Sequence, residues 1–552
     1  MMHQKVVALA CASLLALACT GCAGTPSTTD QSAASQSADK SGASASSSSN
    51  SQAASFTPAA ATWQSTLAAI DMSSWQYNAE DDVYWQVGVS YCATPVDANY
   101  ETLGVFVPGA YFTATDNGDG TYTCAINEQA SVASYTAQTA PIVFPVNTPG
   151  HKAQDAPTGY ERGCASYTSQ GYVYVEAGCR GKDAGVPAGV TDLKAAIRYI
   201  RLCDASLPGN SDRIVVYGMS GGGSQCATLG ASGDSDLYYP YLAQLGAATT
   251  SDAVAAAMCW CPITSYDTSD LAYEWNMGST RSDLDEQMQA ISNGLAQAYA
   301  NYVNQMGFTD SSGNKLTLEQ SAEGIYQAGS YYDYVKAVIE QSLANYLTDT
   351  SFPTSGKSGS YDSPEAYVAS LNSDGEWVSY DAATGNVTIT SIAAFAQHCK
   401  NATKPIAAFD KLEQGGHELF NTGDGEKTHY DSVLYELVKG TQYEQEMADD
   451  LAKTDALGNN MSYRINMFSP LYYLMSANEG YNSSNVAQNW RIRTGIEQTD
   501  TALTTEVNLA LALNMRGANV DFETVWGQGH TQAERTGDSG ENFINWVNSL
   551  WS

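Results

Sequence analysis

The sequence predicts an α/β fold: a mostly parallel sheet flanked by helices, with a large, mainly helical segment inserted between late strands. Three observations predict it. Over residues 141–263, short β-branched runs alternate with helical spacing and glycine turns, the pattern of parallel strands joined by right-handed crossovers. About 200 residues then carry apolar side chains mostly at helical spacing, far too many for a loop. Strand and helix alternate again over residues 490–526.

In chain order, residues 84–89 and 102–108 read as early strands, followed by a hairpin through Asn117-Gly118-Asp119-Gly120. Residues 141–146 and 171–177 are short buried strands. The helix after them sets Val190, Leu193, Ile197 and Ile200 on one face and Lys194, Arg198 and Arg201 on the outside. Strands are expected at 214–217 and 258–263. In the inserted segment, Leu284, Met288, Ile291, Leu295 and Tyr302 share one helix face; Val335, Val338, Ile339, Leu343, Tyr346 and Leu347 mark another helix. A hairpin is expected at 377–389. The closing elements are strands at 490–495 and 520–526, with helices at 506–516 and 542–550. No internal repeat is present.

A chain of 552 residues, 43% hydrophobic and 10% aromatic, has ample material for a core. Its 59 acidic residues against 25 basic ones, a net charge of −34, exclude nucleic acid and anionic membrane surfaces as partners. Lys5 precedes an apolar run over 6–17, too short to span a bilayer and right for a signal-peptide core. Ala18-Cys19-Thr20-Gly21-Cys22 follows and resembles a bacterial lipobox. Cys22 is the expected lipidated residue, with Cys19 as the alternative and a plain secretory signal as the other reading. Residues 25–56, rich in Ser, Ala, Gln and Thr, form a flexible tether. The expected organisation is a signal over 1–22, a tether over 23–60, a core over 61–264 and 465–552, and an inserted lid over 265–464. The expected location is the outside of the cell, anchored by lipid. Nine cysteines lie beyond the signal, an odd number, so at least one stays unpaired. No Cys and His set has zinc spacing; no metal and no cofactor is expected.

The chemistry centres on Asp212-Arg213-Ile214-Val215-Val216-Tyr217-Gly218-Met219-Ser220-Gly221-Gly222-Gly223-Ser224. A β-branched strand, G-x-S-x-G, then a small-residue helix is the nucleophile elbow of the α/β-hydrolase fold. Ser220 is the expected nucleophile, and the amide of Gly221 an oxyanion donor at the helix N-terminus. A base and an orienting acid should follow in the order Ser, Asp or Glu, His. Past the signal, the histidines are His151, His398, His417, His429 and His530. Only His530 follows the last strand, in a G-x-G-H loop, and it is the expected base. The acid belongs just past 490–495, where Glu497 and Asp500 are candidates and Asp500, farther into the loop, leads.

Several segments together resemble the bacterial tannases, serine esterases that cleave galloyl esters. They are Gly178-Cys179-Arg180-Gly181-Lys182, residues 189–199, the elbow, Cys261-Pro262-Ile263 with Ala272-Tyr273-Glu274-Trp275, and residues 404–420. The resemblance runs from roughly residue 60 to the C-terminus. It implies that Ser220 and His530 are nucleophile and base, and that Lys404 and Glu418 grip galloyl hydroxyls. In the family, two aspartates two residues apart serve as triad acid and as galloyl ligand; here those positions hold Gln498 and Asp500. Asp500, Glu497 or Gln498 could then complete the triad, with Asp500 as the expected acid and also a substrate ligand. The implied partner is a small phenolic ester, with membrane contact only through the N-terminal lipid. Two alternatives stand beside this reading: another carboxylesterase such as a feruloyl esterase, and a surface-binding protein on a decayed hydrolase fold.

Overall fold

The computed structural model describes residues 56–551, apart from 59, 283, 357–358, 401–403 and 413–417. The signal, most of the tether, Cys22 and His417 lie outside the described residues. The central sheet contains β1 (Gln76–Asn78), β2 (Val83–Ser90), β3 (Thr102–Pro108), β4 (Ile142–Val146), β5 (Val173–Ala177), β6 (Ile214–Met219), β7 (Ala256–Trp260), β8 (Asn489–Gly495) and β9 (Asn519–Val525). Their spatial order is β1-β2-β3-β5-β4-β6-β7-β8-β9. The first three form an antiparallel meander, and β3 pairs antiparallel with β5. From β5 to β9 every neighbouring pair is parallel. This is the α/β-hydrolase arrangement the sequence predicts. Helices cover both faces, so β6 and β7 read as continuous apolar runs rather than alternating ones; Ile214, Val215, Val216, Ala256, Ala257 and Met258 are fully buried.

Helix α1 (Val186–Leu202) crosses between β5 and β6, and α2 (Gly221–Ala231) follows β6. On α1 the expected outward face is corrected by the structure. Lys194 and Arg198 are buried, because the segment around Asp252 folds across that side of the helix. Lys194 Nζ donates to Asp252 Oδ1 and to the Ser232 carbonyl, both at 2.7 Å, and Arg198 Nε donates to Asp252 Oδ2 at 2.6 Å. Arg201 is the half-exposed one and bonds the carbonyls of Ser251, Ala253 and Ser211. The strand expected over 258–263 is shifted: it starts at Ala256 and ends at Trp260. Cys261, at φ 44°, turns the chain out of the sheet. All nine described cysteines are free.

Between β7 and β8, neighbours in the sheet, the chain runs largely through helices. These include α3 (Ser269–Met277), α4 (Glu286–Met306) and α5 (Ser330–Asp349). Small hairpins stand at Thr354–Gly356 with Gly359–Tyr361 and at Val378–Asp381 with Asn386–Ile389. The segment is fastened to the core. Ser342 of α5 donates to the Thr524 carbonyl of β9 at 2.8 Å, and Tyr331 donates to Asn508 at 2.6 Å. Asn508 lies on α6 (Leu503–Met515), and α7 (Ser539–Trp551) closes the chain.

Candidate active site

Because β4 to β9 run parallel, the loops after their carboxyl ends meet at one edge of the sheet, where ligands bind in such folds. β6 ends at Met219 and α2 starts at Gly221, so a single residue reverses the chain. Ser220 does this at φ 59°, ψ −122°, a conformation that strains any residue with a Cβ and persists only where neighbours hold it. The Ser220 amide donates to the Trp260 carbonyl at 2.9 Å. Its carbonyl accepts from Ser224 Oγ at 2.8 Å, and that same hydroxyl oxygen accepts from the Ile263 amide at 2.9 Å. Gly221 opens α2, where first-turn amides have no intrahelical acceptor and the helix dipole is positive. A Cβ on Gly221 would lie 2.3 Å from the Thr148 carbonyl oxygen and 2.6 Å from the His151 amide. The loop after β4 is thus pressed against Gly221, the candidate oxyanion donor, and glycine is required there.

His530 is delivered by the loop after β9. A Cβ on Gly495 would stand 2.0 Å from the Gly529 carbonyl oxygen, so the end of β8 must be bare for that loop to pass. Cys261 Sγ donates to the Thr531 carbonyl at 3.2 Å. Farther on, Glu534 accepts from Arg491 at 2.9 and 2.8 Å and from the Trp260 indole at 3.1 Å. Trp260 therefore holds both halves of the site, the Ser220 turn through its carbonyl and the His530 loop through its ring. Among the other described histidines, His151 and His429 are buried, the latter 2.5 Å from Asp410, and His398 stacks on Trp377.

The partner of the imidazole differs from the expectation. His530 Nδ1 bonds Gln498 Oε1 at 2.7 Å, whereas Asp500 Oδ2 lies 3.6 Å away, at ion-pair rather than hydrogen-bond distance. Gln498 is buried, and its Nε2 donates to Glu506 Oε1 at 2.6 Å and Thr494 Oγ1 at 2.8 Å. Its backbone carbonyl accepts from the buried Lys400 Nζ at 2.8 Å. Burial holds the His530 imidazole below its ordinary pKa; Lys404 pushes the same way and Asp500 opposes. The ring is neutral near pH 7, as a base must be.

Lys404 stands beside Asp500, its Nζ 3.4 Å from the Asp500 carbonyl oxygen and 4.6 Å from the centre of the Phe409 ring. Burial lowers its pKa while Asp500 resists. Glu418 pairs with Lys182 Nζ at 2.5 Å, on the loop after β5. The structure thus gathers His530, Gln498, Asp500 and Lys404, and gives Glu418 a lysine partner that sequence reasoning did not name. Glu497, the other acid candidate, is adjacent in sequence, and its amide bonds the Gln528 carbonyl at 3.0 Å. Glu506, Thr494 and Lys400 were not foreseen either. A glutamate in a helix first turn reads as a dipole partner, and no local signal turns it inward.

An elbow serine, a helix-opening amide and a neutral histidine at the carboxyl edge of a parallel sheet define a serine hydrolase of the α/β-hydrolase fold. Comparisons agree. The BD-FAE family model matches residues 133–303, which include the elbow. Tannase from Lactobacillus plantarum matches with a TM-score of 0.66 and 26% identity over 85% of this chain and 94% of its own. Fusobacterium nucleatum tannase matches with a TM-score of 0.65 and 26% identity, over 85% and 95%. A tannin acyl hydrolase in complex with ethyl gallate matches with a TM-score of 0.65 and 27% identity, over 85% and 94%. No curated protein sequence matches. The chain is a carboxylic ester hydrolase, and its fold is similar to that of the solved tannases.

Proposed function

We propose that this protein is an exported, lipid-anchored esterase that cleaves galloyl-type phenolic esters through an acyl-enzyme. The observation that carries the reading is the placement of Lys404, whose Nζ reaches the Asp500 backbone carbonyl at 3.4 Å, beside the Asp500 carboxylate, which lies 3.6 Å from His530. A cation and a carboxylate flanking the base are suited to a ring with adjacent hydroxyls: the carboxylate accepts from a phenol, and the ammonium donates to or stabilises a phenolate. The Lys182–Glu418 pair offers a second such couple.

In this mechanism Ser220 Oγ attacks the ester carbonyl carbon while His530 Nε2 takes the hydroxyl proton. The Gly221 amide donates to the developing oxyanion. Gln498 accepts from Nδ1–H and so keeps Nε2 free as the acceptor. Asp500 supplies negative charge to the imidazolium at 3.6 Å. His530 then passes the proton to the departing alcohol, and water repeats the sequence on the acyl-enzyme to release the acid.

Methyl gallate against methyl ferulate tests the substrate class. Ferulate lacks the trihydroxy pattern, and a site built to bond those hydroxyls should favour gallate by roughly 100-fold in kcat/KM. Equal rates, or a preference for ferulate, would make this a different carboxylesterase. Ser220→Ala should remove hydrolysis of both by about 10⁶-fold in kcat while leaving the folded protein intact. A folded variant that kept its activity would show that Ser220 is not the nucleophile, whereas a wild type inactive on every ester would favour the surface-binding alternative.

A further inference from the structure

We infer that Glu506 is a positioning residue of the catalytic machinery: with Thr494 it holds both Nε2 hydrogens of Gln498, so that the amide presents its oxygen, and not its nitrogen, to His530. The inference rests on the serine-esterase reading above. A side-chain amide is two-faced. Turned by 180°, Gln498 would offer an N–H to Nδ1, which would then have to be the bare nitrogen of the ring. Nε2 would carry the proton and could not accept the one from Ser220. An aspartate in this place has no such ambiguity, because both its oxygens accept. A glutamine needs something behind it to choose its face.

Glu506 makes that choice by its ionisation. As a carboxylate it only accepts, so only the NH₂ end of Gln498 can face it, and the carbonyl is forced toward His530. As a neutral acid it can donate to the amide oxygen or accept from the amide nitrogen, and the selection is lost. The geometry matches the locked form: Nε2 lies 2.6 Å from Glu506 Oε1 and 2.8 Å from Thr494 Oγ1, and Thr494 is itself 3.3 Å from the same Glu506 oxygen. Glu506 and Thr494 are buried, so water does not compete for these bonds.

The groups around Glu506 come from every neighbouring element. Lys400 caps the helix Ile392–Cys399, Cys261 follows β7, and Thr494 and Gln498 come from β8 and its loop; Cys399 and Glu497 act on Lys400 in turn. Burial pushes the Glu506 pKa well above the ordinary carboxylate range, whereas Lys400 favours the carboxylate. Burial likewise lowers the Lys400 pKa against the pull of Glu506. The selecting charge therefore forms above the ordinary carboxylate range, at higher pH than that at which His530, with Asp500 and Lys404 around it, loses its proton.

The test is the pH profile of kcat/KM for p-nitrophenyl acetate, an ester with no galloyl group to recognise. The wild-type profile should rise once as His530 deprotonates below its ordinary 6.5 and again at higher pH as Glu506 ionises. Glu506→Gln should lose the upper rise and sit lower at high pH by about 10- to 100-fold in kcat, with KM little changed, the worth of one hydrogen bond to a charged group. Glu506→Asp should recover the upper rise. When Gln498 is first replaced by aspartate, the cost of Glu506→Gln should vanish or reverse, since an aspartate needs no orienting carboxylate. A wild-type profile without the upper rise, a Glu506→Gln profile that keeps it, or an undiminished cost in the Gln498→Asp background each overturns the inference. Should Glu506→Gln not fold, selective ¹⁵N-histidine spectra of the wild type decide: above the pH at which the ring becomes neutral, the Nδ1–H form of His530 should grow further as pH rises, and a constant tautomer would be fatal. Ser220→Ala separates the two levels. If it is inactive while Glu506→Gln behaves as wild type, only this inference falls; if it stays active, the assignment of Ser220 and His530 as the catalytic pair falls with it.

Discussion

Around His530, three side chains divide work that one aspartate usually does. Gln498 holds Nδ1 at 2.7 Å, Asp500 supplies charge from 3.6 Å, and Lys404 opposes that charge. Losing Asp500 therefore does not disturb the tautomer. Asp500→Asn should cost simple esters about 10- to 100-fold in kcat rather than the ~10⁴-fold that follows when a triad acid is replaced by an amide. The acid limb of kcat/KM moves with the same residues. Asp500 raises the His530 pKa, so Asp500→Asn shifts the limb to lower pH; Lys404 lowers it, so Lys404→Met shifts the limb to higher pH. Profiles on p-nitrophenyl acetate check both directions, and shifts of the same sign would refute this account of the charges. On methyl gallate, Lys404→Met should lose a further factor of about 10 or more, the hydrogen bond of the ammonium to the ring.

At the scale of elements, the site depends on how closely two strand ends approach. β8 and β9 are parallel neighbours, and the loop after β9 folds back over Gly495 with no room for a methyl group. Gly495→Ala should push the Gly529 carbonyl, and His530 with it, away from Ser220. Activity on every ester should drop by about 100-fold or more, since misplacement of a base by about an ångström is that costly. Circular dichroism should still report a folded protein, because the sheet itself is untouched. A fully active Gly495→Ala would mean that the His530 loop has slack the close contact denies.

For the molecule as a whole, helix α1 is buried on two sides, against the sheet and beneath the segment that carries Asp252. Burial works against Asp252 ionising, yet Lys194 and Arg198 outweigh it and hold the carboxyl down at about 2. The substitution Asp252→Asn would leave two buried cations with their shared carboxylate gone, which should cost about 3–5 kcal/mol in urea unfolding. The exposed pair Arg162–Glu80 is the contrast: Arg162→Ala should leave unfolding unchanged, because solvent screens such pairs. At the other end of the chain, Cys22→Ser should move the protein from the detergent phase to the aqueous phase with kcat unaltered, since the described site uses no residue before the core. An unmodified native N-terminus would argue against the anchor.

Much of this could be read along the chain because its signals are local. The strand-turn-helix around Ser220 is contiguous, a parallel strand buried on both faces spells itself as a β-branched run, and His530 follows shortly after the end of β9. The helical character of the inserted segment and the hairpin near residue 380 were legible for the same reason. What stayed hidden depended on contacts between distant segments. Lys194 and Arg198 look like a solvated face until Asp252, 58 and 54 residues away, folds over them. Glu506 looks like a helix-start acid until the loop after β8 brings the amide of Gln498 against it. Spacing along one element reports which side chains share a face; it carries no information about what covers that face. For that reason the candidate nucleophile and base were visible in the residue order, whereas the contact of His530 with Gln498 appeared only once the loops were packed at a single edge of the sheet.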